Sequence, residues 1–140
     1  MKRLILISLL LISLLPIAQL YAQTTFPTQN GERIRYSSYI EMNGAYISGI
    51  CVLLNEDGVI QGCLFNEFGI TAIEFSYNPE RNKVKLKHVI KMMDKWYIRR
   101  VLRKDIAQLM SLLYNGKTGY QNTRRNISYQ FIPIIDEVTQ

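Results

Sequence analysis

The sequence has few of the side chains that carry catalysis or bind metal ions. Its 140 residues include one histidine, His88, and two cysteines, Cys51 and Cys63. A zinc-type site needs several histidine, cysteine or carboxylate ligands together, and acid–base catalysis needs paired groups. The carboxylates are scattered, and neither a glycine-rich phosphate loop nor an elbow-type serine motif is present. The sequence therefore predicts a protein that is not an enzyme and that holds no metal ion and no cofactor.

The single histidine lies in a segment of alternating apolar and basic residues. Val84, Leu86 and His88 take every second position of residues 83–90, and lysines take the positions between them until residue 87. This alternation is typical of a half-buried strand, so we expect His88 to be a buried, hydrogen-bonded imidazole. An enzyme, the least favoured function, would have to use His88 with Asp94 or Asp105.

No apolar run is long enough to cross a membrane. The most apolar stretch, residues 4–15, has about a dozen residues, whereas a spanning helix needs about 20. It follows Lys2 and Arg3 and precedes Pro16 and a small residue, Ala22, as in a secretory signal peptide. An uncleaved membrane anchor is the alternative, and Pro16 argues against it. No cysteine lies near Ala22, so the acylation site of a bacterial lipoprotein is missing.

Export would leave 118 of the 140 residues, enough for one domain but too few for two. We expect a signal peptide at residues 1–22, a flexible lead-in at 23–32 and a single α+β domain at 33–140. The expected location is the periplasm or the periphery of the outer membrane, without a lipid anchor.

Basic residues are concentrated in one part of the chain. Ten of them lie within residues 81–104, where the only acidic residue is Asp94. In an exported protein such a cluster favours an anionic membrane surface or an acidic envelope protein as the partner, rather than nucleic acid. The plain alternative is the solvated outer face of a strand and a helix. The residues expected to contact an anionic headgroup or partner are Lys91, Lys95, Arg99, Arg103 and Lys104.

Alternating apolar and polar residues predict antiparallel strands. Asn43-Gly44 is typical of a two-residue type I′ hairpin turn, and it places Tyr36 opposite Cys51. The second strand is apolar on both faces, which indicates that both faces are covered or that one lines a cavity. The strands are expected at 33–42, 45–54, 59–66, 70–77 and 83–90 and, after a polar segment at 117–126, from Ile127 to Pro133.

Residues 94–115 have the pattern of one amphipathic helix, about 30 Å long. Asp94 is the expected N-cap, and Asn115-Gly116 is the expected left-handed stop. Asp105 falls inside the apolar arc. Either it pairs with a basic neighbour at the edge of that arc, or Trp96–Leu102 is a strand and a shorter helix begins just before Asp105. The predicted fold class is α+β: a curved antiparallel sheet of about six strands, an incomplete barrel, packed on one long amphipathic helix.

The two cysteines flank the predicted turn at residues 55–58, and export would permit a disulfide between them. Strand geometry makes the outcome depend on the length of the loop. A loop of two or four residues puts Cys51 and Cys63 on opposite faces, whereas only an odd loop places them across from each other. Asp57-Gly58 favours the two-residue loop, so we expect two separate buried thiols, with the disulfide as the alternative.

Three short motifs resemble those of small exported bacterial proteins of the LolA/LolB-like class. They are Ser48-Gly49, the turn Asn55-Glu56-Asp57-Gly58, and Asn66-Glu67-Phe68-Gly69 before the next strand. The later helix also fits, and the resemblance covers residues 46–113. The resemblance implies an incomplete barrel that wraps around a helix and leaves an apolar cavity that holds acyl chains. The sequence also has the general character of an exported family without an assigned function.

Two functions fit this fold. In the first, the protein is a non-catalytic binding module whose sheet lines a cavity for a lipid, an acyl chain or a lipoprotein-type ligand. In the second, it is a structural or interaction protein of the envelope, with a filled concave face and no small ligand. The candidate cavity residues are Ile47, Leu53, Phe65, Ile73 and Phe75. The residues that would fill the concave face instead are Trp96, Leu102, Ile106, Leu109 and Leu113.

Overall fold

The computed structural model describes residues 25–135, so the expected signal peptide and residues 136–140 lie outside the described part. The elements are β1 Arg33–Met42, β2 Ala45–Glu56, β3 Val59–Asn66, β4 Thr71–Asn78, β5 Lys83–Val89, a 3₁₀ turn Lys91–Met93, α1 Trp96–Tyr114, β6 Gly119–Asn122 and β7 Ile127–Pro133. In this range the seven strands make one sheet in the order β5-β4-β3-β2-β1-β7-β6. All neighbouring strands are antiparallel, and the sheet curls into a half-barrel beside the long helix.

The predicted fold class is confirmed, with one strand more than the six expected. The additional strand is β6, which lies inside the segment read as polar and which pairs with β7. Its four residues are too few to display an alternating pattern. Residues 96–102 belong to α1, so the alternative of a strand there is wrong. Within residues 25–135, no helix is both long enough and apolar enough to cross a membrane.

The first hairpin has the register that its turn sequence predicts. Asn43 and Gly44 have φ angles of 49° and 83°, the left-handed values of a type I′ turn. Tyr36 lies opposite Cys51, as expected. Because side chains alternate along paired strands, this register turns both residues toward the helix, where both are buried.

The second hairpin decides the state of the cysteines. Asp57-Gly58 forms a two-residue loop, so Cys51 lies opposite Leu64 and Val52 lies opposite Cys63. The two sulfur atoms are therefore on opposite faces of the sheet. Both cysteines fall within the described range and both are free, Cys51 buried and Cys63 half-buried. The prediction of two separate thiols is confirmed, except that Cys63 is only partly covered.

The helix fills the concave face of the sheet. Leu102, Leu109 and Met110 have no exposed surface, and Leu113 is 1% exposed. Burying a large apolar side chain of this kind stabilises a fold by about 1.5–3 kcal/mol, so this layer is a main source of stability. The strand residues that pack in the same core include Tyr36, Ile40, Cys51, Leu53, Ile60, Leu64, Ile73, Phe75, Tyr77, Ile127, Tyr129 and Phe131.

The sequence predicts the C-terminal end of α1 correctly but not its N-terminal end. Gly116 has a φ of 82°, and its N–H donates to the carbonyl of Leu113 at 3.1 Å, which is the expected left-handed stop. The N-cap prediction is wrong. The helix begins at Trp96, so Lys95 takes the cap position, and it has no side-chain cap. The carboxylate of Asp94 accepts a hydrogen bond from the guanidinium of Arg99 instead.

Part of the segment expected to be a flexible lead-in packs against the fold. Phe26 and Pro27 are buried, and the Phe26 ring meets Tyr114 edge-on with 5.7 Å between ring centroids. The side-chain amide of Asn55 donates to the carbonyl of Pro27 at 3.0 Å. These contacts hold residues 26–27 against the C-terminal end of α1 and the β2–β3 turn. A single phenylalanine in a polar stretch gives no periodic signal, so the sequence does not predict them.

The prediction that His88 faces the core is wrong. The register of β4 against β5 shifts at Glu74, which pairs with His88, and Lys87 is skipped in the ladder. An extra residue of this kind is a β-bulge, and it breaks the alternation of inward and outward side chains. His88 is therefore exposed, whereas Val89 is buried.

We expect the two thiols of the folded protein to be free and unequal in reactivity. Burial raises the pKa of the Cys51 thiol far above its usual value and also raises the pKa of the half-buried Cys63 thiol. Only a thiolate that the reagent can reach is alkylated, so iodoacetamide should label Cys63 much faster than Cys51. Peptide mass spectrometry measures both rates, and Cys63→Ala should remove the faster one. A mass lower by two hydrogens, or faster labelling of Cys51, would contradict the register.

Candidate functional site

The structure does not gather the five candidate cavity residues into one pocket. Leu53, Ile73 and Phe75 are at most 2% exposed and belong to the core beneath α1. Ile47 is partly buried beside that core. Phe65 lies on the convex face, where it lines a shallow groove of about 330 Å³. The helix occupies the concave face of the sheet. These five residues therefore do not form the acyl cavity that the sequence resemblance implies.

Two larger clefts lie at opposite ends of α1. The first, here called the apolar cleft, has a volume of about 450 Å³ beside the C-terminal end of the helix. Its walls include Phe26, Ile60, Tyr77 and Tyr114, and no charged residue of the described range lines it. The second cleft, beside the N-terminal half of α1, has a different composition and is the stronger candidate for a site.

The second cleft, here called the basic cleft, lies between α1 and the β6–β7 hairpin and has a volume of about 550 Å³. Trp96, which was expected to fill the concave face, forms part of its wall and is 75% exposed. The residues that line it are Trp96, Tyr97, Arg100, Val101, Lys104, Asp105 and Gln108 from α1 and Tyr120, Asn122, Arg124 and Arg125 from the hairpin.

Asp105 is the buried group of the basic cleft, with only 3% of its surface exposed. The side-chain amide of Asn122 donates to both carboxylate oxygens, at 2.9 and 3.0 Å, and the Tyr129 hydroxyl donates to one of them at 2.8 Å. Hydrogen bonds to a charged group are each worth about 1.5–3 kcal/mol, which offsets much of the cost of burying the carboxylate. Both sequence-based explanations of Asp105 are wrong, because its partners are neutral and it lies in the middle of the helix.

Tyr129 keeps its proton in this arrangement. Burial raises the pKa of its phenol well above the usual value, and the neighbouring Asp105 carboxylate raises it further through its charge and its hydrogen bond. The hydroxyl therefore acts as a donor to Asp105 throughout the physiological pH range.

Asn122 connects the buried carboxylate to the turn that carries two arginines. While its amide nitrogen donates to Asp105, its amide oxygen accepts the backbone N–H of Arg125 at 3.1 Å. One side chain thus fixes both the position of the hairpin against α1 and the shape of the β6–β7 turn. As a result Arg124 and Arg125 line the same cleft as the cations of the helix.

The basic cleft has a strong excess of positive charge. Its four cations are Arg100 and Lys104 on the helix and Arg124 and Arg125 on the turn. Within residues 25–135, no ion pair or side-chain hydrogen bond engages these four groups. Asp105 is their only acidic neighbour in the cleft, and its oxygens are already occupied by Asn122 and Tyr129. Like charges in a concave surface add to a positive potential that attracts anions.

The five basic residues predicted to contact an anionic group are not all in this cleft. Lys104 lines it, and Lys91 and Lys95 are exposed just before the helix. Arg103 is exposed but does not line the cleft, and Arg99 is held by Asp94. The structure therefore brings one of the five to the cleft.

Sequence reasoning missed Arg124 and Arg125 and left Arg100 out of the predicted contacts. The two arginines lie between Asn122 and Asn126, and Asn126 has a φ of 55°, so the segment is a turn with a left-handed residue. Paired asparagines around two arginines were a signal for a basic turn, but nothing in the sequence indicates that this turn lies beside the helix.

The groups considered for catalysis are not assembled into a site. His88 is exposed on β5, and its nearest candidate partner, Asp94, is bound to Arg99, whose hydrogen bond lowers the pKa of that carboxyl. Asp105 is bound by Asn122 and Tyr129 instead. Among residues 25–135, no cluster of three or more histidine, cysteine or acidic side chains could hold a metal ion.

We expect Tyr129→Phe to change how stability depends on alkaline pH. Because the folded-state pKa of Tyr129 is raised, the folded protein holds a proton that the unfolded chain releases above about pH 10. The stability contributed by that proton is full below pH 10 and decreases above it by about 1.4 kcal/mol per pH unit. Urea unfolding at pH 9–11 should show a shallower decrease for Tyr129→Phe than for the parent protein.

The same substitution should lower stability at pH 7 by about 1–3 kcal/mol, because Asp105 loses a buried donor. Tyr46→Phe, at an exposed position, is the matched control and should follow the parent curve. If both variants follow the parent at every pH, the Tyr129–Asp105 hydrogen bond contributes nothing and the description of the buried network is wrong.

Comparison of this chain with protein-family models, with curated proteins and with solved structures finds no match. The comparisons therefore place the chain in no family, and they do not bear on its resemblance to the LolA/LolB-like class.

Proposed function

We propose that the protein is a non-catalytic binding module for an amphipathic anionic ligand, a lipid or an acylated molecule, whose anionic headgroup occupies the basic cleft. One observation carries the proposal: four cationic side chains without a partner in the described part of the chain surround one cavity of about 550 Å³. The signal-type residues 1–22 favour the periplasm or the periphery of the outer membrane as the place where it acts.

The charge of the cleft supports an anionic ligand. Two arginines on a short turn and two cations on the facing helix repel one another. This repulsion destabilises the folded protein as long as no anion is bound. A bound phosphate or carboxylate would remove the repulsion. Guanidinium groups also bind such anions through two parallel hydrogen bonds, which makes arginine well suited to the role.

The walls of the cleft support a ligand with an apolar part. Trp96 and Tyr97 stand on the helix side, and Tyr120 stands on the hairpin side, where its ring stacks on Tyr129 with 6.0 Å between centroids. Aromatic side chains offer a large apolar surface with one polar end, and they recur where a protein meets both water and hydrocarbon. A small hydrophilic anion would make no use of these rings.

The position of an acyl chain follows from the filled core. Since Leu102, Leu109 and Met110 already occupy the concave face, the chain would lie along the aromatic wall of the basic cleft. Among residues 25–135, the apolar cleft shares no lining residue with the basic cleft and has no cation in its walls, so it is not part of the proposed headgroup site. This arrangement differs from the internal cavity that the LolA/LolB-like resemblance implies.

A structural or interaction protein of the envelope is the second candidate function, and the filled concave face favours it. In that case the basic cleft would receive an acidic segment of another envelope protein, and no small ligand would bind. The two functions differ in whether the isolated protein binds a single lipid-like molecule.

The binding proposal predicts that lauroyl lysophosphatidylglycerol, below its critical micelle concentration, binds the protein with a 1:1 stoichiometry in isothermal titration calorimetry. Lauroyl lysophosphatidylcholine has the same chain without net charge and should bind at least about tenfold more weakly. The double variant Arg124→Glu/Arg125→Glu should lose most of the affinity for the anionic lipid, because two attractive charges become repulsive ones.

The matched control is Lys83→Glu/Lys85→Glu, which changes the net charge by the same amount on the exposed side of β5, away from the cleft. It should bind the anionic lipid nearly as well as the parent protein does. If both double variants lose affinity equally, overall charge and not the cleft controls binding. If the parent binds neither lipid, the envelope interaction protein becomes the better account.

A further inference from the structure

Large apolar side chains are exposed at one end of the molecule. Phe68 is 81% exposed and Met92 is 72% exposed, and neither lines the basic cleft. Trp96 is 75% exposed at the start of α1, and Ile70 and Tyr97 are 56% and 48% exposed. Folding normally buries side chains of this size, and a cluster of them on a surface marks a place of contact.

The sheet topology brings these residues to the same end. Phe68 and Ile70 lie in the loop between the end of β3 and the start of β4. The chain leaves β5 at the same end, since Ile73 pairs with Val89 and the N–H of Ile90 donates to the carbonyl of Ala72 at 2.8 Å. The 3₁₀ turn with Met92, and then the start of α1, follow directly.

The β3–β4 loop holds its apolar side chains outward in a fixed shape. The Asn66 side-chain oxygen accepts the backbone N–H of Phe68 at 3.0 Å and that of Ile70 at 2.9 Å. Gly69 has a φ of 75°, and its N–H donates to the carbonyl of Asn66 at 2.9 Å, which closes the turn. In the 3₁₀ turn, Met93 is buried and anchors the segment while its neighbour Met92 is exposed.

Positive charge lies beside Met92 and Trp96. Lys91 and Lys95 flank Met92 and are exposed, and the basic cleft begins at Trp96. The two segments contain the acidic residues Glu67 and Asp94, of which Asp94 is paired with Arg99. Exposed aromatic and apolar residues next to lysines and arginines complement an anionic lipid surface, where the apolar side chains enter the headgroup layer and the cations meet the phosphates.

We infer that this end of the protein docks reversibly on an anionic membrane surface, with Phe68, Met92 and Trp96 inserted at the headgroup level and with Lys91 and Lys95 at the lipid phosphates. The contact goes beyond ligand binding in the basic cleft, since Phe68 and Met92 take no part in that cleft. It would present the mouth of the basic cleft to the bilayer from which an amphipathic anion is collected or to which it is delivered.

Trp96 is the only tryptophan of the chain, and it lies both at this end and in the wall of the basic cleft. Its fluorescence therefore reports on lipid contact at either place, and the vesicle binding of the double variant Phe68→Ser/Met92→Ser tells the two apart. Vesicles of phosphatidylglycerol and phosphatidylcholine should shift its emission to shorter wavelength, and brominated lipids in the same vesicles should quench it. Vesicles of phosphatidylcholine alone should do neither, and high salt should weaken the effect, because screened cations no longer attract the surface. Unchanged emission with the anionic vesicles would overturn the inference.

The double variant Phe68→Ser/Met92→Ser should bind the anionic vesicles about tenfold or more weakly in co-sedimentation, because two inserted apolar side chains are lost. Ile132→Ser removes an apolar side chain that is 46% exposed on β7, away from this end, and should bind as the parent does. Both changes are at exposed positions, and a thermal unfolding curve verifies that each variant folds. Equal vesicle binding by the double variant and the parent would overturn the inference.

The test of membrane docking can fail or succeed independently of the test of ligand binding in the basic cleft. Phe68→Ser/Met92→Ser should retain full affinity for soluble lauroyl lysophosphatidylglycerol, whereas Arg124→Glu/Arg125→Glu should lose it. If vesicles are bound but the soluble lipid is not, docking holds and the ligand proposal fails. If the soluble lipid is bound but Trp96 is not quenched by brominated lipids in vesicles, the ligand proposal holds and docking fails.

Discussion

The buried carboxylate of Asp105 is the interaction on which the arrangement of the C-terminal half of the described chain depends. A carboxylate that is 3% exposed is costly unless donors surround it, and the donors come from β6 and β7, not from the helix itself. Meeting that requirement fastens the last hairpin to α1. Because Asn122 also accepts the N–H of Arg125, the same contact fixes the basic turn. A hydrophobic residue at position 105 would bury well but would leave Asn122 without its partner.

The two ends of the molecule differ in chemistry because the helix runs between them. At its N-terminal end are Trp96, the basic cleft and the exposed apolar loops, and at its C-terminal end Tyr114 packs on Phe26 beside an uncharged cleft. The core between them is filled by leucines and methionine at 1% exposure or less. The molecule is thus a half-barrel with a filled core, and its two ends differ in charge. Both proposed contacts use the N-terminal end of the helix.

Local signals predict much of this fold. Asn43-Gly44 and Asp57-Gly58 each specify a two-residue turn, so the register of the first two hairpins and the separation of the cysteines follow from sequence. What local signals miss depends on contacts between distant residues. The bulge that exposes His88, the four-residue β6 and the burial of Phe26 are set by neighbours in space. Asp105 stands out in the sequence as an acidic residue on the apolar face of the helix. Its partners lie 17 and 24 residues away along the chain, and no sequence pattern predicts them.

The most direct test is the affinity of Asp105→Asn for lauroyl lysophosphatidylglycerol. The substitution removes a negative charge from the basic cleft, so an effect of charge alone would tighten the binding of an anion. It also places an amide nitrogen of residue 105 against the amide nitrogen of Asn122 unless the Asn122 amide flips. A flip would break the hydrogen bond between the Asn122 oxygen and the N–H of Arg125. If Asp105 assembles the cleft, the folded variant binds the lipid more weakly than the parent protein. Equal or tighter binding would contradict that role.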